Sequence, residues 1–269
     1  MNAPTRLRWL AWLPLIAPGA VAAREPPPPL EAPRPFTLAQ TSQTALPNGL
    51  RVTLVPLGRV PKATVTAIVR TGAIDEGDVT GIAGFTGELL KEGAGNYNAA
   101  ALANRAADLG GALSVEAGGD ETVVSLDVLS ERVPDAVALV ADVLRRPQLP
   151  VSEVDRIRAN IARQIAVERA ESQAIAEEAS ARLLFGDHPY GRGFPSEQDL
   201  ARYSADAARG FVERQFGAQR THIYVVGKFD SSAASSAIEH SFADWASGAP
   251  PTLHVPAPMP GPTRLPVNV

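Results

Sequence analysis

Apolar positions along this chain alternate with two periods, and the order of those periods predicts the elements. Leu50-Arg51-Val52-Thr53-Leu54-Val55 alternates every second residue, as a half-buried strand does. It follows Leu46-Pro47-Asn48-Gly49, a turn in which Asn-Gly tolerates the positive φ of a tight hairpin. Lys62 to Val69 is β-branched at Thr64, Val65, Thr66, Ile68 and Val69 and predicts a second strand. Gly81 to Leu90 has helical spacing, weakened by Gly84 and Gly87. Ala99 to Leu109 is a stronger helix, stopped by Gly110-Gly111. Strands at about Ala112–Ala117 and Glu121–Val128 flank Gly118-Gly119-Asp120, and Pro134–Leu144 is an amphipathic helix with Val137, Val140, Val143 and Leu144 along one side.

The longest predicted helix runs from Glu153 to about Leu184, with Ser152 as its N-cap. Ile157, Ile161 and Ile165 recur every fourth residue along it and make one buried stripe. After the loop Gly186-Asp187-His188-Pro189-Tyr190-Gly191 come a helix near Ala205–Phe216, a strand from Thr221 to Val226 ending at Gly227, and a helix over Ser231–Trp245. Strands and helices do not strictly interleave. That order favours an α+β fold, a mixed sheet with helices packed on one face in a two-layer sandwich, over a doubly wound parallel sheet. A single domain is expected over residues 41–247.

Composition adds the ends. The chain has 269 residues, 45% of them hydrophobic and 20% charged, an ordinary globular balance. Its 24 prolines cluster at Pro26–Pro29 and within Pro250–Pro266, so 24–40 and 248–269 read as proline-rich, extended segments. Residues 1–23 read as a secretory signal peptide: Arg6 and Arg8, an apolar run from Trp9 to Ala17, then Ala20-Val21-Ala22 for cleavage. The alternative is an N-terminal membrane anchor, but the run is well short of the ~20 residues that span a bilayer. No later segment could span a membrane, and an exported, bacterial periplasmic protein is expected. There are no cysteines, which excludes thiol catalysis and cysteine-ligated zinc. The net charge is −4; losing Arg6 and Arg8 leaves 23 basic against 29 acidic residues, a net −6. A mildly acidic domain with no basic stretch is a poor nucleic-acid binder.

Several of these segments carry a resemblance. Leu46-Pro47-Asn48-Gly49-Leu50-Arg51-Val52, Gly72-Ala73-Ile74-Asp75-Glu76, Gly81-Ile82-Ala83-Gly84-Phe85, Leu109-Gly110-Gly111, Gly186-Asp187-His188-Pro189-Tyr190-Gly191 and Tyr224-Val225-Val226-Gly227 follow one another in the order and spacing of the pitrilysin/insulysin and mitochondrial-processing-peptidase superfamily. The match is closest to bacterial members that work as pairs of separate chains. In active members the helix after Gly81 carries H-x-x-E-H, in which two histidines bind zinc and the glutamate activates water; a glutamate from the long helix completes the ligands. The resemblance places the first histidine at Gly84, the base at Gly87, the second histidine at Glu88 and the third ligand at Ile165, beside Gln164. Glycine has no side chain and isoleucine no donor atom. Glu88 alone is a weak, unselective ligand. His188, His222, His240 and His254 have no metal-ligand spacing to one another, and Glu168 lies three residues beyond the third position. No cofactor is therefore expected, zinc being that of active family members. Glu88 and Glu92 read as a solvated or capping pair; Glu168, Glu171, Glu177 and Glu178 read as an exposed helix face.

The resemblance also implies partners. In paired members one chain carries zinc and the other does not, the two enclose a chamber, and peptides add as a strand to a sheet edge. That edge falls near Ala112–Ala117, where the family's Asn-Ala reads Ser114-Val115. Full family chains hold two such domains, so 248–269 reads as a linker and the start of a second domain, either of an incomplete chain or of a natural half. Three functions are expected, in order: a non-catalytic subunit paired with a zinc-bearing pitrilysin-type chain in peptide degradation or processing; an active zinc metalloendopeptidase with relocated ligands; and a periplasmic peptide-binding or assembly module.

Overall fold

The computed structural model describes residues 40–252, 255 and 256. The proposed signal peptide, the 24–39 segment and most of the second proline-rich segment lie outside those residues. In chain order the elements are β1 Ser42–Ala45, β2 Arg51–Pro56, β3 Lys62–Val69, α1 Ile82–Leu90, β4 Gly93–Ala94, β5 Tyr97–Asn98, α2 Ala99–Asp108, β6 Leu113–Ala117, β7 Thr122–Leu129, α3 Val133–Arg145, α4 Val154–Glu168, α5 Ser172–Phe185, α6 Glu197–Arg202, α7 Ala205–Gln215, β8 Thr221–Gly227 and α8 Ser231–Phe242.

Six strands form one sheet in the order β1-β2-β8-β3-β7-β6. The β2–β8 pair is parallel and the other pairs are antiparallel, so the sheet is mixed. Alternation in the sequence becomes sidedness here. Ala63, Val65, Ala67 and Val69 of β3 are buried, as are Val124, Leu126 and Val128 of β7 and Ile223 and Val225 of β8. Thr64, Thr66 and Ile68, with Ser125, His222 and Tyr224, point the other way and stay half-exposed. α3 packs on β3 and β7 beside α8, and α1 packs on β6, α4 and α7. The structure is thus an α+β sandwich with its helices on one face of a mixed sheet.

The long predicted helix is two helices. α4 ends at Glu168 and α5 begins at Ser172, with Glu171 extended at φ −91°, ψ 119°. Isolated helices need a packed face to persist, and the stripe stops providing one: Ile157 is buried, Ile161 and Ile165 are half-buried, and 169–171 are exposed. No residue of α5 is buried. Ser152 is not the cap of α4; it lies in a single 3-10 turn, Val151–Glu153, and its hydroxyl faces Glu153. The sequence reading also missed the small β4–β5 hairpin and α6, both too short to show a period.

Among the described residues, one ion pair has both side chains buried. Arg220 donates to Asp75 Oδ2 at 3.0 Å, to the Arg70 carbonyl at 3.0 Å and to the Ala249 carbonyl at 3.1 Å. Both side chains are under a tenth exposed. Arg220→Met strips the guanidinium's hydrogen bonds from three acceptors at once, the Asp75 carboxylate and the Arg70 and Ala249 carbonyls, and is expected to cost about 3–5 kcal/mol in a denaturant titration. Arg209→Met, which breaks an exposed pair with Asp206, is expected to cost about 0–1 kcal/mol. Equal costs would refute the structural role of Arg220.

Candidate functional site

α1 begins at a glycine because nothing else fits. Gly81 has φ +84°, and a Cβ there would lie 2.0 Å from the Tyr203 hydroxyl oxygen. The exposed amides of the helix start are met from upstream. The Glu76 carboxylate accepts from Gly81 N at 2.8 Å and from Ala83 N at 3.1 Å, replacing the side-chain cap that glycine lacks. Tyr203 donates to the Thr80 carbonyl at 2.7 Å, and its ring stacks on Phe85 at 4.9 Å between centroids. α1 is therefore fixed at its N-terminus independently of its faces.

Those faces differ. Ile82, Ala83, Phe85, Leu89 and Leu90 enter the core, while Gly84 and Glu88 are exposed. Gly87 is buried, and a Cβ on it would stand 3.2 Å from the Ala117 Cβ at the end of β6. A cleft of about 500 Å³ separates α1 from α4. Gly84, Glu88, Gln164, Ile165 and Glu168 all line it. So three of the four degenerate positions, and the two neighbours of the third-ligand position, meet in one cleft, while Gly87 faces the sheet edge. Glu88 pairs with Lys91 at 2.8 Å, and Gln164 Nε2 donates to Glu168 Oε1 at 2.9 Å.

The donor chemistry does not suit zinc. A zinc site needs three or four N, O or S donors converging on one point. Of the positions equivalent to the ligands and base, only Glu88 bears a donor, and among the described residues no group of three His, Cys, Asp or Glu side chains could hold a metal ion. The histidines do not supply one. His188 Nδ1 accepts from Tyr190 N at 3.2 Å, and His222 lies between Thr53 Oγ1 at 2.8 Å and the Tyr224 hydroxyl at 3.0 Å on the open face of the sheet. His240 lies on α8, and His254 is outside the described residues.

Other candidates separate. Glu92 lies beyond α1 and pairs with Arg156 rather than acting with Glu88. Ser114 and Val115 are on β6, the last strand of the sheet. Val115 turns into the core, and Ser114 Oγ donates to Glu116 Oε1 at 3.2 Å on the other face. Sequence reasoning missed Glu76 and Tyr203. A carboxylate five residues ahead of Gly81 was a readable signal; Tyr203, more than a hundred residues away, left none.

The family described as Insulinase (Peptidase family M16) matches residues 52–194, just over half of the chain. The chain belongs to the M16 peptidase family of insulinase and pitrilysin. It is 29% identical over 202 residues to a Mycobacterium tuberculosis protein named as an uncharacterised zinc protease, covering 74% of this chain and 46% of that one. A probable mitochondrial-processing peptidase subunit beta of Arabidopsis thaliana is 25% identical over 190 residues, 70% of this chain and 36% of its own length. The chain thus spans about half the length of the first curated relatives it matches. Among solved structures, the fold is similar to an M16 inactive domain from Pseudomonas fluorescens, with TM-score 0.75, 21% identity, and coverage of 81% of this chain and 54% of that one. Pitrilysin aligns with TM-score 0.68 and 20% identity over 81% of this chain and 24% of its own.

Two outcomes follow from this geometry. A Cβ at Gly84 meets nothing within 4 Å, so Gly84→Ala is expected to stabilise the fold by roughly 0.5–1 kcal/mol through helix propensity. Gly87→Ala must displace Ala117 and is expected to gain less or to lose; urea midpoints decide, and a larger gain at 87 would contradict the packing. Glu76 is the second. Burial, outweighing its two amide hydrogen bonds, pushes its carboxyl above the usual glutamate range. The folded state then binds that proton more tightly than the unfolded chain, so its contribution is full below the unfolded value and falls as pH rises through the folded one. The stability of the wild type relative to Glu76→Gln should therefore decline from acidic pH toward neutrality. A rising difference would contradict the burial.

Proposed function

We propose that this chain is a non-catalytic M16-type half that pairs with a zinc-bearing M16 chain and helps hold peptides for degradation or processing. The observation that carries the reading is the cleft itself. α1, α4 and the edge strand are retained around it, while Gly84, Gly87 and Ile165 stand where two ligands and the base would be. The similarity to an inactive M16 domain supports the same reading.

Peptide would engage β6. One edge of that strand pairs with β7 and the other has no neighbour among the described strands. An extended peptide could add there through backbone hydrogen bonds, which tolerate sequence variation. Val115 and Ser114 would then matter through their backbone, since neither side chain points along the sheet toward an added strand. Export through residues 1–23 belongs to the same proposal and would place the pair in the periplasm.

The test is reconstitution. The chain, co-expressed with a zinc-bearing M16 chain from the same genome, is expected to co-purify with it and to raise its cleavage of a quenched fluorescent peptide, while showing no chelator-sensitive cleavage alone. No complex and no rise in activity would sink the pairing. Chelator-sensitive cleavage by the chain alone would instead favour relocated ligands, and tight peptide binding with no partner would favour a stand-alone binding module.

A further inference from the structure

The most loosely packed helix of the fold lies beside the cleft. α4 ends at Glu168, residues 169–171 are exposed, and α5 buries none of its side chains. A cavity of about 480 Å³ separates α5 from the segment 192–195, with Glu168, Glu178, Ala181, Arg192 and Phe194 in its lining. Glu168, Phe194 and Pro195 also line the cleft between α1 and α4, so the two spaces adjoin.

α5 is joined closely to the loop that follows it. Phe185, its last residue, meets the Tyr190 ring edge-on at 5.4 Å between centroids, and Tyr190 meets His188 at 4.7 Å. These rings hold α5 and residues 186–191 together as one body. The far end of that body is tied to the core. The turn Pro189–Gly191 packs against the turn Ala73–Asp75, and the Tyr190 hydroxyl lies 2.8 Å from both carboxylate oxygens of Asp120. Asp120 belongs to the β6–β7 turn, whose Gly118 and Gly119 carbonyls accept from Ala73 N and Ile74 N. The tie is therefore made to a fixed point. Along α5 itself, Glu178 Oε1 accepts from Phe194 N at 3.1 Å.

This position has a cost. His188 Nδ1 accepts from Tyr190 N at 3.2 Å, so the proton of the neutral ring sits on Nε2. Nε2 is buried and meets no acceptor among the described residues, and the same holds for Arg192 Nη1. Unpaired buried donors oppose the arrangement that buries them, and an outward swing would return both to water. Close packing at the second joint adds to this: a Cβ on Gly193 would lie 1.7 Å from Glu178 Oε1.

We propose that α5 and residues 186–191 form a hinged strap that swings as one body about 169–171 and 192–193, joins the cleft between α1 and α4 to the cavity behind it when open, and is latched shut by Tyr190 on Asp120. The strap is a property of this chain alone and stands whether or not a partner chain binds.

The experiment is electron–electron double resonance on the full chain. Having no cysteines, the chain takes two spin labels cleanly, through Glu88→Cys on the α1 wall of the cleft and Ser180→Cys on α5, both exposed positions. A major distance and a minor longer one are expected. Tyr190→Phe keeps the ring packing and removes the latch hydroxyl, and should raise the ratio of long to short distance about threefold to tenfold. Asp120→Ala should do the same, and combining the two should add nothing, since both remove one interaction. Gly193→Ala should shift the ratio in the same direction through a different contact. One distance distribution shared by the wild type and all these variants would overturn the strap. Additive effects of the Tyr190 and Asp120 substitutions would show that the latch is elsewhere. Amide hydrogen exchange separates swinging from melting: α5 should keep its protection in Tyr190→Phe, and exchange there as fast as at 169–171 would refute movement as one body.

Discussion

The structure depends on the five residues from Gly72 to Glu76. Ala73 N and Ile74 N donate to the carbonyls of Gly118 and Gly119 in the β6–β7 turn, at 3.0 and 2.8 Å. A Cβ on Gly72 would lie 2.3 Å from the Gly118 carbonyl oxygen, so this approach requires glycine. Asp75 takes the buried Arg220 guanidinium, and Glu76 caps α1. One short segment thereby ties the end of β3, the turn behind the edge strand, the residue before β8 and the start of α1. Buried polar groups are costly unless satisfied, so these bonds specify one placement of α1 against β6. That placement puts Gly84 and Glu88 opposite α4.

This anchorage explains how the cleft can keep its shape without metal donors at the ligand positions. None of the positions where zinc ligands would stand contributes to fixing α1. Gly84 and Glu88 are exposed, and Ile165 is half-buried on the far wall. The helix is held instead by Glu76, by Tyr203 against Phe85 and Thr80, and by its apolar face. Substitution at the ligand positions therefore removes metal donors without removing the scaffold.

Much of this was legible in the sequence. The β-branched run placed β3 at Lys62–Val69, and the strand–helix order pointed to the layered fold. The family resemblance placed Gly84, Glu88 and Ile165 at equivalent positions of one site, and all three line the cleft between α1 and α4. What escaped reading was set by tertiary contact. The α4–α5 break lies where the stripe of Ile157, Ile161 and Ile165 runs out of partners, and helical spacing alone cannot show where burial stops. Glu168 reads as one more exposed acid until the fold sets it in the cleft with Glu88. Tyr203 becomes part of the site only through a contact that spans 123 residues.

The central claim is that this cleft retains the architecture of a zinc site and lacks only its donors. Zinc content per chain, measured by mass spectrometry after dialysis, tests it most directly when the wild type is compared with Gly84→His/Glu88→His/Ile165→Glu. That variant restores three ligands and leaves the crowded Gly87 untouched. The account predicts far less than one zinc per wild-type chain and about one per variant chain. Stoichiometric zinc in the wild type, or none in a folded variant, would contradict it.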